Sequence, residues 1–454
     1  MRFLTLGNAT DIGASCHYLS FDSCGLVLDA GADPNLEGPD SLPRFDSLGD
    51  RPISHAIITH AHHDHIGAIP SLIEAYPHVA VHMTKATWQL TSMMLEASVR
   101  LQRRRYEEGS SPYPTLFEYE HIDAVQDATR THAYEDTFEL VAGDLAARFY
   151  YSGHLLGAAG VLLTTGDGMR VFYTSDTNIR PQTIVPGGHY PKEAVDVLIM
   201  ECTLGADPEA ERVTRKTEER RFLQSLQKVL RRGGTVLLPV FMLGRAQEVL
   251  CMLGSFRERG QINKGFPIYT AGGLRQVSAI YDATRYDTPR LDPDFEVFSV
   301  EQRRFPRSQK AKRQSIREPS IHVLSSGMMV ENTMSNWVAQ EIVEDEKHAI
   351  FLVGFAKEDL PAGRLLHAAM NGAEEVVLDP RTGVQTIACD VDRFRFSGHS
   401  HRRDLVALVQ RLSPRKVILV HGDTEARAWI SDEITRACRG VEVLSPELGE
   451  DVEC

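Results

Sequence analysis

The sequence predicts an α/β protein in which one domain is interrupted by another, and three observations carry that expectation. Short apolar runs in the first 200 or so residues repeatedly end in a residue able to bind a metal or move a proton. From about residue 205 helix and strand patterns alternate, the mark of a parallel sheet with crossover helices. Near the C-terminus a strand-like run again ends in histidine, so the last segment is expected to complete the first domain.

In chain order, Leu26-Val27-Leu28 runs into Asp29, Ile57-Ile58-Thr59 into His60, and Phe149-Tyr150-Tyr151 leads to His154. Val171-Phe172-Tyr173 leads to Asp176, Val197-Leu198-Ile199-Met200 runs into Glu201, and Val417-Ile418-Leu419-Val420 into His421. A lone strand-end histidine or aspartate is usually a turn or cap residue. Six in one chain point to ligands converging on one rim of α/β sheets. The helical exceptions in the first part are two stretches, roughly 65–76 and 85–108. In the second part Thr217–Leu230 leads to Val236–Val240, Arg245–Leu253 to Ile268–Tyr269, and Trp337–Val343 to Ile350–Val353. A strand over Arg393–Phe396, a helix over Arg403–Gln410 and a strand over Lys416–Val420 then return to the rim.

The densest signal is His60-Ala61-His62-His63-Asp64-His65. His60 and His62, two apart in extended chain, can point the same way, while Asp64 and His65 follow where a helix begins. Imidazole with carboxylate is a ligand set for Zn²⁺ or a similar borderline cation. Packing does not account for four imidazoles and a carboxylate in six residues.

Asp29, the His60–His65 cluster, Ser152-Gly153-His154 and Thr174-Ser175-Asp176 resemble, in order, the four core motifs of the metallo-β-lactamase superfamily. Glu201-Cys202-Thr203, Phe396-Ser397-Gly398-His399 and Val420-His421-Gly422-Asp423 resemble the three motifs specific to its β-CASP nucleases. The segments running from Leu238 to Glu248 and from Ser325 to Met329 look like those of the RNA-processing branch that contains ribonuclease J and the polyadenylation endonucleases.

The resemblance covers nearly the whole chain and implies an αββα sandwich with an inserted β-CASP domain capping its site. The expected limits are 1–204 and 391–454 for the sandwich and 205–390 for the insertion. It implies two Zn²⁺ per chain, with Mn²⁺ as the alternative. His60, His62 and His154 would hold one ion, Asp64, His65 and His421 the other, and Asp176 would bridge them. Asp29 would orient the histidine loop through hydrogen bonds. His63 falls at a variable position and is expected to be no ligand. Such a pair of ions activates water as hydroxide and neutralises charge on phosphorus. Asp64 and Asp176 would then be catalytic together with Glu201 and His399, and Ser397, Arg245 and Ser325 would contact a substrate phosphate.

The implied function is a zinc-dependent ribonuclease of RNA processing or decay, either an endonuclease or a 5′-exonuclease. The alternatives are a hydrolase of DNA or of a small phosphodiester or ester, and a non-catalytic scaffold subunit. Two departures touch substrate rather than metal: His401 stands where relatives often carry an acid, and residues 354–364 lack the usual Gly-Thr-rich form.

Composition is that of an ordinary soluble chain of 454 residues, with 42% hydrophobic and 24% charged residues, and two domains are the default at this length. No apolar run approaches the roughly 20 residues of a membrane span, and the N-terminus reads as a strand rather than a signal peptide. The seven scattered cysteines suit reduced thiols in a cytoplasmic protein. An RNA substrate is the expected partner, no membrane is, and a homodimer is allowed. A net charge of −13, from 62 acidic and 49 basic residues, is unusual for a binder of polyanions. Bound divalent cations would reverse the field locally. Residues 302–317 hold Arg303, Arg304, Arg307, Lys310, Lys312, Arg313 and Arg317 with no acid. They read either as a solvated loop or as a lip that holds phosphates. Arg103-Arg104-Arg105 reads as a surface face of a helix.

Overall fold

The computed structural model describes residues 1–8 and 12–454. The chain divides into two compact units, one formed by Met1–Pro181, Val185–Glu211 and His399–Cys454, the other by Gln182–Ile184 and Arg212–Gly398.

The first unit is an αββα sandwich. One seven-stranded sheet runs in the order Asp451–Glu453, Arg2–Thr5, His17–Ser20, Gly25–Leu28, His55–Ile57, Ala80–Thr84, Thr129–His132. The other runs Glu442–Leu444, Lys416–Val420, Val197–Glu201, Arg170–Tyr173, Ala159–Thr165, Leu145–Tyr151, Thr137–Val141. Each sheet is antiparallel in one part and parallel in the other, as at Gly25–Leu28 with His55–Ile57 and at Val197–Glu201 with Lys416–Val420. Phe3, Leu26, Leu28 and Ile57 of one sheet pack with Phe149, Val161, Tyr173 and Ile199 of the other to form the dry layer between them. Helices seal the outer faces, through Leu72, Leu95 and Ile122 on one side and Leu405, Leu408 and Ile430 on the other. Val197–Glu201 is covered on both faces and buried at every position, which is why it reads as an unbroken apolar run up to Glu201.

Two helical expectations need correction. The stretch 65–76 is two short helices, His63–Ile66 and Ile69–Ala75. The break arises because the Ala68 N–H donates to the Ala30 carbonyl (2.8 Å) instead of continuing the helical ladder, and Pro70, in the first turn of the second helix, has no N–H to give. The first part also holds a helix the sequence did not predict, Tyr119–Ala128, whose buried Ile122 and Val125 sit three apart on its inner face.

The second unit is a six-stranded parallel sheet in the order Arg303–Arg304, Ile268–Thr270, Ile321–Leu324, Val236–Pro239, Ala349–Leu352, Asp390–Arg393. Its last strand thus ends at Arg393 and does not extend to Phe396, because Phe394 and Phe396 turn into an aromatic cluster around Phe222. Leu237, Ile350 and Leu352 pack against Val338, Ile342 and Leu365. Arg303–Arg317, open between loop and lip in the sequence, forms the edge strand Arg303–Arg304 and the helix Gln309–Arg317.

Two buried histidines tie this sheet to acidity. The Thr235 N–H donates to His348 Nδ1 (2.9 Å), so that nitrogen must stay bare. His322 lies within the sheet, with Nε2 3.1 Å from the Ser315 carbonyl. Burial pulls each imidazole from 6.5 down to about 4. With the folded-state value below the unfolded one, their stabilising contribution is complete above about pH 6.5 and is lost as pH falls towards 4. His348→Gln keeps an acceptor for Thr235 without a titrating ring. Its urea midpoint should therefore decline less steeply than that of wild type between pH 6.5 and 4.5. Parallel declines would remove His348 from the acid response.

Candidate metal centre

The site forms where strands of both sheets end. Asp29 follows Gly25–Leu28, His60 lies three residues past His55–Ile57, Asp176 three past Arg170–Tyr173, and His421 follows Lys416–Val420. Asp29, Ser175 and His421 have positive φ (59°, 50° and 50°), a conformation non-glycine residues rarely adopt. Strain of about 1 kcal/mol or more at each is expected to persist only where the surroundings over-determine it.

Asp29 provides that constraint for one half of the site. Its carboxylate is fully buried and accepts from the Thr59 N–H (2.8 Å), the Thr59 hydroxyl (2.9 Å), His65 Nδ1 (2.9 Å) and the Tyr173 hydroxyl (2.9 Å). Because Nδ1 of His65 is taken up by a carboxylate, Nε2 is the nitrogen left to face a cation. His60 is held alike, with Nδ1 3.2 Å from the Thr59 hydroxyl and 3.4 Å from that of Ser175.

The metal-capable atoms then converge. His60, His62, His154 and Asp176 form one group within 4.8 Å, and Asp64, His65 and His421 form another. Asp176 faces both: Oδ2 lies 3.5 Å from His60 Nε2 and 3.6 Å from His154 Nε2, and Oδ1 lies 3.5 Å from His65 Nε2 and 3.2 Å from His421 Nδ1. His60 Nε2, His65 Nε2 and Asp176 Oδ1 are buried with no hydrogen-bond partner among the described residues. A native interior rarely leaves such atoms orphaned. Two ligand atoms about 2.1 Å from one ion at a tetrahedral angle stand roughly 3.4 Å apart. The observed separations and the imidazole–carboxylate donor set therefore fit divalent cations.

Without an ion the histidines and carboxylates perturb one another. Burial and neighbouring imidazoles push His60 well below 6.5, whereas for His65 the nearby Asp176 and Asp29 outweigh burial and hold it well above. Burial would raise Asp176, but the surrounding imidazoles, His421 first, bring it well below the usual carboxylate range.

Glu201 and His399 form a second pair on the rim. His399 Nδ1 lies 3.1 and 3.2 Å from the two Glu201 oxygens. Glu201 also accepts from the backbone N–H of Thr177 (2.7 Å) and of Thr203 (3.2 Å), so both of its oxygens are engaged. Burial lowers the His399 imidazole, but the Glu201 charge prevails and raises it to about 9. Glu201 also falls in a third metal-capable group with Asp176 and His421, while His399 falls in none. His63 is in none either; its ring packs over Gly67, where an added Cβ would stand 2.7 Å away.

Arg245 opens the helix Arg245–Glu258, Ser325 follows the strand Ile321–Leu324, and Ser397 precedes His399 by two. These three belong to the second unit, the metal-capable groups to the first. His401 caps the helix Arg402–Leu412, its ring accepting from the Asp404 N–H (3.4 Å) and lying 3.2 Å from the Asp404 carboxylate. Cys202 is buried against Gly422. Supporting residues that the sequence reading passed over are Thr59, Ser175, Tyr173 and Thr203. A hydroxyl immediately before both His60 and Asp176 was the available signal.

Comparison with known proteins agrees with this geometry. A profile of the metallo-β-lactamase superfamily matches residues 9–189, a β-CASP domain profile matches 246–365, and one described as a Zn-dependent metallo-hydrolase RNA specificity domain matches 385–446. The transcription termination factor FttA of Methanothermobacter thermautotrophicus is 28% identical over 98% of this chain and 70% of its own length. An RNase J-like protein of Methanocaldococcus jannaschii is 28% identical over 92% of this chain and 91% of its own. The endoribonuclease YSH1 of Kluyveromyces lactis is 28% identical over 93% of this chain, which spans only 56% of that protein. A crystal structure of a protein of unknown function from Enterococcus faecalis superposes with a TM-score of 0.57 over 99% of both chains at 13% identity, a likeness of fold alone.

The Asp29 network yields a stability test. Tyr173→Phe deletes one donor to a buried carboxylate and should cost about 1.5–3 kcal/mol. Asp29→Ala, which strips His65 of its partner, should cost about 3–5 kcal/mol. Urea unfolding of metal-free protein reads both, and a Tyr173→Phe chain as stable as wild type would contradict the network.

Proposed function

The chain belongs to the metallo-β-lactamase superfamily, in its β-CASP branch, and on that premise we propose that it is a zinc-dependent ribonuclease. The observation that carries the reading is Asp176, whose two oxygens each face a separate set of bare or carboxylate-flanked ligand atoms. His60, His62 and His154 would hold one ion, Asp64, His65 and His421 the other, with Asp176 between them. When bound, such a pair of ions lowers the pKa of water and neutralises charge on the phosphate. RNA is the proposed substrate because the RNA specificity profile covers residues 385–446 and relatives carry the names of ribonucleases. The seven cysteines are free, which fits a reducing cytoplasm. Among the described residues no helix is long and apolar enough to cross a membrane.

The protein's own groups manage the proton. The leaving oxygen departs with negative charge, and an imidazolium at His399 would donate a proton to it from Nε2. Glu201 turns the ring by holding Nδ1 and favours its charged form. Glu201 is in turn fixed by the Thr177 and Thr203 amides, so the pair is oriented before substrate arrives. Asp29 engages Nδ1 of His65 and so leaves Nε2 as the nitrogen that would bind an ion, and the Thr59 and Ser175 hydroxyls do the same for His60.

Purified protein is expected to contain about two zinc-like ions per chain. Asp64→Ala and Asp176→Ala should each lose at least one ion together with activity. Active wild-type protein with no ion by mass spectrometry would sink the reading.

His399→Ala should keep both ions and lose about 10²–10⁴-fold in turnover, with Glu201→Gln a milder case. Loss of an ion from His399→Ala would make it a ligand instead. Matched RNA and DNA oligonucleotides, labelled internally or at 5′-triphosphate, monophosphate or hydroxyl ends, test substrate class and separate internal from 5′-terminal cleavage. Faster cleavage of DNA than of RNA would overturn the RNA assignment.

A further inference from the structure

On other parts of this acidic chain, clustered surface arginines are neutralised locally. On the helix Lys85–Glu107, Arg100 pairs with Glu96, Arg103 with Glu118, Arg104 with Glu108 and Arg105 with Glu37. The edge of the second unit's sheet is different. Arg303 and Arg304 form its exposed outermost strand, hydrogen-bonded on one side only to Ile268–Thr270. Exposed Arg307, Lys310 and Arg317 follow in the next 13 residues. None of these five has a carboxylate within ion-pair distance among the described residues, and of this basic run only Arg313 does, with Glu341 at 3.4 Å.

A sixth cation is already positioned beside them. Arg275 donates from NH1 to the Thr270 hydroxyl (3.0 Å), and its guanidinium lies 4.9 Å over the Phe298 ring, which is 38% exposed. Thr270 pairs in register with Arg304. Burial and then the charge of Arg304 lower the affinity of Arg275 for its proton, as expected for like charges with no anion between them.

Charges on an edge strand also prevent edge-to-edge aggregation. One or two suffice for that, and it requires neither an arginine held on an aromatic face nor a run of unpaired cations. An uncompensated row of arginines beside an exposed ring is the pattern by which single-stranded nucleic acids are held, phosphates by the cations and bases by the π-face. An acidic protein would use the cations and leave the ring idle.

We propose that the sheet edge formed by Arg275, Phe298, Arg303, Arg304 and Arg307 is a binding surface for single-stranded RNA, additional to the catalytic residues. The surface rests on the ribonuclease reading. It grips RNA without taking part in bond cleavage, so its loss weakens capture of long substrates and spares hydrolysis of small ones.

The test uses the full chain. Binding of a labelled 30-nucleotide single-stranded RNA is titrated at several salt concentrations in an Asp64→Ala background, which keeps the RNA intact. Arg275→Gln/Arg304→Gln/Arg307→Gln should reduce the magnitude of the log K against log salt slope by about 2, since each phosphate contact on a single strand contributes about 0.7. Phe298→Leu should weaken binding about tenfold with the slope unchanged. With Asp64 restored, the triple variant should hydrolyse bis(p-nitrophenyl) phosphate at the wild-type rate.

If the parent chain binds RNA and the triple variant keeps its slope, the surface is disproved while the ribonuclease reading stands. If the parent chain binds no RNA even at low salt, the ribonuclease reading itself fails. Binding of polyglutamate as tightly as RNA would reassign the edge to an acidic protein partner.

Discussion

The buried carboxylate of Asp29 is the constraint on which the metal-capable half of the molecule depends. A charge with no solvent exposure is tolerable only when its oxygens are saturated with donors, and Asp29 takes them from three directions. Thr59 comes from the loop that carries His60, His65 from the short helix beyond it, and Tyr173 from the opposite sheet. The demand of one carboxylate for hydrogen bonds therefore ties the histidine loop to a tyrosine of the opposite sheet. The left-handed backbone at Asp29, Ser175 and His421 is the cost of aiming strand-end residues inward, and the packed sandwich supports it.

Charge is organised differently in the two units. In the first, buried acids and imidazoles face one another at 3.2–3.6 Å around Asp176. That arrangement leaves His60 Nε2, His65 Nε2 and Asp176 Oδ1 buried with no hydrogen-bond partner among the described residues. Glu201 and His399 stand beside it as a self-contained ion pair whose acid is already satisfied by backbone amides. In the second unit the excess is of the opposite sign and lies at the surface, on an edge strand and the helix after it. A net charge of −13 conceals both facts, because a sum over 454 residues contains no information about position.

Much of the site was legible in the sequence because ligand chemistry is local. His60–His65 places four imidazoles and a carboxylate within six residues, and a strand that ends in a metal-capable residue announces itself by composition. The parallel character of the second unit was legible for the same reason, since apolar runs alternating with helices of suitable length leave few other folds. The break at Ala68 was not legible, because it depends on a carbonyl offered by Ala30 from a distant strand. The helix Tyr119–Ala128 was passed over because only Ile122 and Val125 mark its inner face.

What the sequence alone determined is the inventory: which residues can bind metal, in what order they occur, and that two kinds of domain are interleaved. Tertiary structure decided their use. That Asp176 presents one oxygen to each group of ligands, that Thr59 and Ser175 hold Nδ1 of His60 while Asp29 holds that of His65, and that Arg304 lies beside Arg275 all depend on residues far apart in the chain. Hydroxyls and arginines are too common to signal such roles by type. They acquire them only when folding removes water and leaves each buried polar atom a single partner, or none.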